Sequence, residues 1–366
     1  MIREFTEEQD ELRRTVRKFL SDHSSESEVR QLMATEPGYD PEVWKTMATQ
    51  LGLQGIAIPE EYGGQGFGWV ELGIVLEEMG RALLCAPFVS SVVLAAGALL
   101  ASGDSEAKQR HLPGIADDSL IATLAFPRPG TSFDVRAEHK DGTWRLTGAA
   151  PLVTDAHVAG LLLVPANTAE GLGLFAVEAG AEGLGTTLRP TLDQTRKLAD
   201  IELVEVIATP VGGPNSGKEI LARVLDLAAV ALAAEQVGGA QAALDMGVEY
   251  MKVRVQFGQP IGAFQALKHM AADALVEVET ARSAAYYALF AAADDSDELP
   301  VAASLAAAYC ADAFVSTAHQ NIQFHGGMGF TWEIPAHLYF KRARSSQLLL
   351  GEPEFHRAQV AERLGF

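Results

Sequence analysis

The stretch from Leu221 to Gln265 constrains this chain more than any other. Its first part, LARVLDLAAVALAAEQVGGAQAALDMGVEYMKVR, keeps Leu, Ala and Val at helical spacing and predicts one long, largely buried helix. Gly238 and Gly239 stand in mid-run, where each glycine costs about 1 kcal/mol against alanine. Such a cost predicts a close approach, either by another backbone or by a flat ligand. The run ends on RVQFGQPIGAFQ, Arg254 to Gln265, which sets a cation, an amide and an aromatic ring just before a Gly-Gln-Pro break. A guanidinium binds phosphate oxygens in pairs and an aromatic edge covers a heterocycle, so Arg254, Gln256 and Phe257 suit a ligand with both phosphate and a planar ring. Taken alone, the same residues read more readily as a helix C-terminus with a stabilising arginine and a proline stop.

At 366 residues the chain is long enough for two or three domains. The net charge of −20, with no basic block, argues against nucleic acid or an anionic membrane surface as partner. Anionic ligands must then be met by local arginines or helix N-termini. Cys85 and Cys310 lie in apolar surroundings with no metal-ligand spacing, so both are expected to be buried, reduced thiols, which fits the cytoplasm. No metal site is expected. The opening MIREFTEEQDELRRTVRKFL is charged and amphipathic and does not read as a signal peptide. The richest apolar run, near residues 88–102, is too short to cross a bilayer, so no membrane association is expected.

In chain order, residues 3–22 predict a surface helix capped by Thr6, and Pro41 starts a second one that holds Trp44 and ends at Gly52. Between them, 23–40 read as a polar break. Helices follow over 71–84, 88–102 and 105–111. From Ser119 the composition turns to short β-rich runs: SLIATLAF, TWRLTGAAPLV, AGLLLVPA, GLFAVEA and ADIELVEVIATPV, with Asp141-Gly142 as a hairpin turn. No helices separate these runs, so an antiparallel β-domain is predicted. Helical periodicity returns at Gly217 and holds to the end, over about 217–252, 264–293, 299–322, 335–348 and from Pro353. The expected domains are an α-helical 1–118, a β-domain at 119–212 and a helical bundle at 213–366.

Three ordered blocks then become specific. Trp44, Gly52, Pro59-Glu60-Glu61-Tyr62-Gly63-Gly64 and Glu78-Met79-Gly80-Arg81 form the first, the RVQFGQPIGAFQ segment the second, and Gln323-Phe324-His325-Gly326-Gly327-Met328-Gly329-Phe330 the third. Together they resemble the acyl-CoA dehydrogenase family of flavoproteins over the whole length, including its actinobacterial members. The resemblance implies a multidomain α+β fold with a central antiparallel β-barrel or sandwich and a C-terminal four-helix bundle. It implies FAD as cofactor, lying between the β-domain and the C-terminal helices with its adenine end reaching a neighbouring subunit. The reaction implied is α,β-dehydrogenation of an acyl-CoA in fatty-acid or steroid side-chain breakdown, with electrons passing to an electron-transfer flavoprotein. Thr154 matches the flavin N5 contact, with Leu124 and Ala125 offering backbone groups. Arg254, Gln256 and Phe257 match residues that a second subunit gives to pyrophosphate and adenine. Gln323, Gly326 and Gly327 match the segment along which the dinucleotide passes close to backbone, a use that glycine pairs suit. A dimer or dimer of dimers, homomeric or heteromeric, is implied, and the PEEYGG stretch is structural.

The chemistry needs a carboxylate to take the α-proton. Family members keep that glutamate in one of two places, which correspond here to Leu350 and Ala228, with Ala229 where many members carry an arginine. Neither residue can accept a proton. The β-domain loop, Phe126-Pro127-Arg128-Pro129-Gly130-Thr131, also departs from the family pattern. Glu235, seven residues past Ala228 and so on the same helix face about 10 Å further on, is the candidate base; the alternative is a structural carboxylate at a helix contact. Glu352 would serve only under a different loop register. Three readings stay open: a working dehydrogenase with a relocated base, the non-catalytic partner in an α2β2 complex, or a flavin-binding relative with other chemistry such as hydroxylation.

Overall fold

The computed structural model describes residues 5–131 and 133–366. Helices come first: α1 (Glu7–His23), α2 (Glu26–Met33), α3 (Pro41–Thr49), α4 (Trp69–Arg81), a π-helical turn (Val89–Ala95) running into α5 (Ala96–Ala101), and α6 (Ser105–Ala116). Seven strands follow: β1 (Ala122–Leu124), β2 (Asp134–Lys140), β3 (Thr143–Thr154), β4 (Leu161–Asn167), β5 (Leu172–Glu178), β6 (Leu184–Arg189) and β7 (Leu198–Val211). The rest is helical: α7 (Gly217–Val253), α8 (Gln265–Ala293), α9 (Leu299–His325), α10 (Ala336–Leu349) and α11 (Pro353–Arg363). Thr6 caps α1 as expected, in a reciprocal box with Gln9. The expected polar break hides α2, whose Ser25 and Glu28 exchange side-chain bonds with each other's backbone N–H groups.

The fold divides into two compact units. One holds Gln31–Gly68 and Cys85–Ala228 and contains the sheet. There β2, β3, β7, β5 and β4 close on one another, β1 pairs with β4, and β6 pairs with β7. Asp141 (φ 53°) and Gly142 (φ 79°) make the tight turn between β2 and β3, both in the left-handed region that such a turn requires. Two pairings depart from the antiparallel expectation: β1 and β4 run parallel, Ala122 opposite Leu161 and Leu124 opposite Leu163, and β2 meets β4 in parallel at Arg136 and Asn167. The β2–β3 hairpin supplies the crossover in place of a helix. The interior is filled by Val135, Leu146, Leu162, Val164, Phe175, Ile201 and Val206. Strands β2 and β6 go unread in the sequence because β2 buries only Val135 and Ala137 and β6 buries nothing.

The other unit joins the chain up to Arg30, Trp69–Leu84 and Ala229–Phe366. Here α4 crosses α7 at backbone contact. A Cβ added at Gly238 would lie 1.8 Å from the Glu77 carbonyl oxygen, and one at Gly80 would lie 1.9 Å from that of Glu235. Gly239 faces the ring of Phe314. Both mid-helix glycines therefore answer to protein, not to a flat ligand. Glu77, buried at this crossing, accepts from Arg13 at 2.9 Å, from Tyr286 at 2.7 Å and from Arg282. Helix α9 is long and apolar enough to cross a membrane, more so than the 88–102 run. It packs on α8, α10 and α11 as the central helix of the bundle, which is why it is apolar on every side.

Candidate functional site

The β-domain presents the first group of expected residues. β3 bulges between Ala150 and Val153, with Leu152 at φ 57°, and ends on Thr154. The Thr154 carbonyl accepts from the Thr123 hydroxyl at 2.6 Å, which fixes the end of β3 against β1. The Thr154 side chain is not free: its Oγ1 accepts from Arg128 Nη2 at 3.3 Å. The Ala125 N–H is committed to the Leu163 carbonyl at 2.9 Å as part of the β1–β4 ladder. By strand alternation the Leu124 N–H points the other way, off the sheet edge. Of the backbone groups expected from Leu124 and Ala125, the Ala125 N–H is therefore taken up by the sheet.

Arg128, named in the sequence only as part of an altered loop, is the unexpected feature here. It is 9% exposed, its guanidinium lies 5.3 Å from the Phe126 ring centroid, and no carboxylate among the described residues pairs with it. Buried charges are normally paired. Burial first, and the nearby Arg196 second, pull its pKa down to about 10. Arg128 is thus seated on the Thr154 oxygen, and the Ala125 N–H is held by Leu163. With Thr154 1% exposed and Arg128 on its oxygen, this structure leaves no open face there for a flavin ring.

The second group lies in the other unit and has the opposite character. α7 stops at Val253, and Val255 pairs with Pro260 and Gln256 with Gln259 around a two-residue turn of Phe257 (φ 52°) and Gly258 (φ 80°). The turn holds Phe257 out into solvent at 92% exposure. Gln256 reaches only its neighbour's carbonyl, Val255, and exposed Arg254 makes no ion pair among the described residues. The Tyr250 ring stacks on His325 at 4.2 Å and ties the end of α7 to the end of α9. Gln323, Gly326 and Gly327 flank that α9 end. Gln323 is exposed, and a Cβ at Gly258, Gly326 or Gly327 would meet nothing within 4 Å. An uncovered guanidinium, amide and aromatic ring are groups that can meet the phosphate and ring of a nucleotide.

The base positions come last. Leu350 caps the end of α10, Ala228 and Ala229 are buried in α7, and Glu352 is an exposed residue at the start of α11. Glu235 is buried, and its Oε1 accepts from Arg342 Nη1 at 2.6 Å, both side chains at or below 5% exposure. Arg342 also donates to the Leu84 carbonyl at 3.3 Å. The candidate base thus takes the geometry of its structural alternative: a carboxylate paired with a guanidinium at the contact of α7 and α10.

The family comparisons agree with this architecture. Residues 6–119 match the acyl-CoA dehydrogenase N-terminal domain, and residues 215–365 match the acyl-CoA dehydrogenase C-terminal domain. The acyl-CoA dehydrogenase IpdE2 of Mycolicibacterium smegmatis is 34% identical over 348 residues, covering 95% of this chain and 96% of that protein. Among solved structures, a variant of the Tcur3481-Tcur3483 steroid ACAD superposes with a TM-score of 0.89 at 32% identity, over 98% of both chains. The ChsE4-ChsE5 complex from Mycobacterium tuberculosis gives 0.92 at 30% identity, over 100% of this chain and 99% of that one. FAD is the cofactor of these oxidoreductases. With its ordered motifs, its helix-sheet-helix chain and these relatives, the protein belongs to the acyl-CoA dehydrogenase family.

Proposed function

We propose that this chain is the base-lacking subunit of a heteromeric acyl-CoA dehydrogenase that desaturates an acyl-CoA thioester of steroid side-chain or fatty-acid breakdown. One observation carries the reading: neither position at which the family keeps its glutamate holds an acid, and the nearby buried acid, Glu235, is paired with Arg342. A buried carboxylate whose oxygen already accepts from a guanidinium 2.6 Å away is poorly placed to take the α-proton of a substrate. The proton acceptor then has to come from a partner subunit. Bound FAD would supply the acceptor for the β-hydrogen leaving as hydride, with an electron-transfer flavoprotein as the onward electron acceptor.

Two further facts support the reading. The nucleotide-end residues Arg254, Gln256 and Phe257 stand uncovered, as residues that serve a neighbour's cofactor would. Two of the similar solved structures are named as pairs, Tcur3481-Tcur3483 and ChsE4-ChsE5, and the first is called a steroid ACAD. The test is expression of the chain alone and together with a family member that keeps its glutamate. The expected result is a chain that neither bleaches flavin nor reduces an acceptor dye alone, and a yellow, acyl-CoA-bleached complex when the two are combined. A homomeric preparation that desaturates an acyl-CoA would overturn it and restore the self-sufficient reading.

A further inference from the structure

The heteromeric reading says which chain supplies the proton acceptor; the β-domain says more about which chain holds the cofactor. We infer that Arg128 closes the ring end of the cofactor site in this chain, so that this β-domain takes no flavin and the chain contributes only the nucleotide-binding end. The inference deepens the proposed function and rests on it for the identity of the assembly.

Three observations converge. Thr154, at the position of the flavin N5 contact, is 1% exposed, and its hydroxyl oxygen accepts a hydrogen bond from this chain's own guanidinium. The hydroxyl keeps its own proton, but with the guanidinium seated on its oxygen and the side chain buried, Thr154 shows no open face to a ring. Arg128 lies over Phe126, in the segment that follows β1, so the loop's own aromatic ring backs the guanidinium. The 126–131 loop also carries two prolines, Pro127 and Pro129, which fix the backbone on either side of Arg128 and limit its withdrawal. At the other end, a Cβ at Gly258, Gly326 or Gly327 meets nothing, so there the chain leaves space. Within the β-domain unit the ring position is filled, and within the helical unit the nucleotide position stands open.

A lone buried guanidinium is not there for stability, since burying an unpaired charge is costly. Its removal should therefore open the site without unfolding the domain. The experiment uses the purified full-length chain, titrated with FAD and read by the circular dichroism that a flavin ring acquires near 450 nm when fixed in a protein. The wild type is expected to give no induced signal. Arg128→Ala and Arg128→Ser are expected to acquire a saturable signal, with FAD affinity at least tenfold tighter than wild type and thermal midpoints no lower.

Wild-type chain that takes up one FAD with an induced ring signal would overturn the closure, as would folded R128A and R128S chains that gain nothing. The two proposals fail separately. Acyl-CoA turnover by the wild-type chain alone sinks the heteromeric reading, whereas wild-type FAD uptake without turnover sinks only the role of Arg128. An R128A chain that gains flavin and still leaves it unbleached by acyl-CoA supports both, because the acceptor for the α-proton is still missing.

Discussion

Replacing Glu235 by glutamine separates a structural carboxylate from a catalytic one. The substitution keeps size and shape but leaves Arg342, 4% exposed, facing a neutral amide in place of a carboxylate 2.6 Å away. Breaking a buried pair from one side costs about 3–5 kcal/mol, because the remaining charge has lost the carboxylate it faced. Urea unfolding followed by far-ultraviolet circular dichroism should show the loss as a lower midpoint at unchanged slope. The double variant E235Q/R342M, which removes both charges, should recover most of it; the two residues touch, so their effects are not additive. Bleaching of flavin by acyl-CoA in the assembled enzyme should survive in E235Q wherever the complex still forms. An E235Q protein as stable as wild type, in a complex that no longer bleaches, would refute this and return Glu235 to the role of base.

Other outcomes follow from the same geometry. Gly238→Ala should destabilise by about 2 kcal/mol or more although alanine is the better helix former by about 1 kcal/mol, since its Cβ would lie 1.8 Å from the Glu77 carbonyl; a raised melting temperature would refute the crossing. Burial, aided by Arg363, lowers the His356 pKa from 6.5 to about 4, so the unfolded chain binds more protons between those values. Stability should then be fully present above pH 6.5 and fall as pH drops toward 4, and His356→Gln should flatten that slope in urea midpoints measured across the window. Arg254→Ala should weaken FAD retention by the assembled enzyme roughly tenfold or more, the scale of a lost charged hydrogen-bond pair, measured as flavin released on dilution. Retention unchanged would remove Arg254 from the nucleotide end.

Much of the fold is written locally in the sequence. Pro41, Thr6 and the Asp141-Gly142 pair act within a few residues, and the structure uses each as read. What escaped the reading depends on partners distant in sequence. β6 buries nothing and exists only because β7 offers it an edge, so no periodicity marks it. α2 did carry a signal, the Ser25-x-x-Glu28 box, but its charged surface masked the helical stripe. At the site, the exposure of Arg254, Gln256, Phe257 and the 326–327 glycines was legible, because their chemistry is one that no core position needs. The ring end was not. Nothing in the letters of Phe126–Thr131 says that Arg128 turns back to the Thr154 hydroxyl, a contact across 26 residues.

The crossing of α4 and α7 holds a repeated pattern. Each helix carries Glu-x-x-Gly, Glu77 to Gly80 on one and Glu235 to Gly238 on the other, and each glycine sits on the peptide oxygen of the opposite glutamate. The two tetrads are reciprocal: each helix gives the other a place to lie flush and an acid that arginines from elsewhere pin down. Because the obstacle at each glycine is a main-chain oxygen and not a side chain, no second-site change in the facing tetrad can make room for a methyl group. Covariation between the two tetrads should therefore be absent, and any descendant of this sequence has either to keep both glycines or to abandon the crossing.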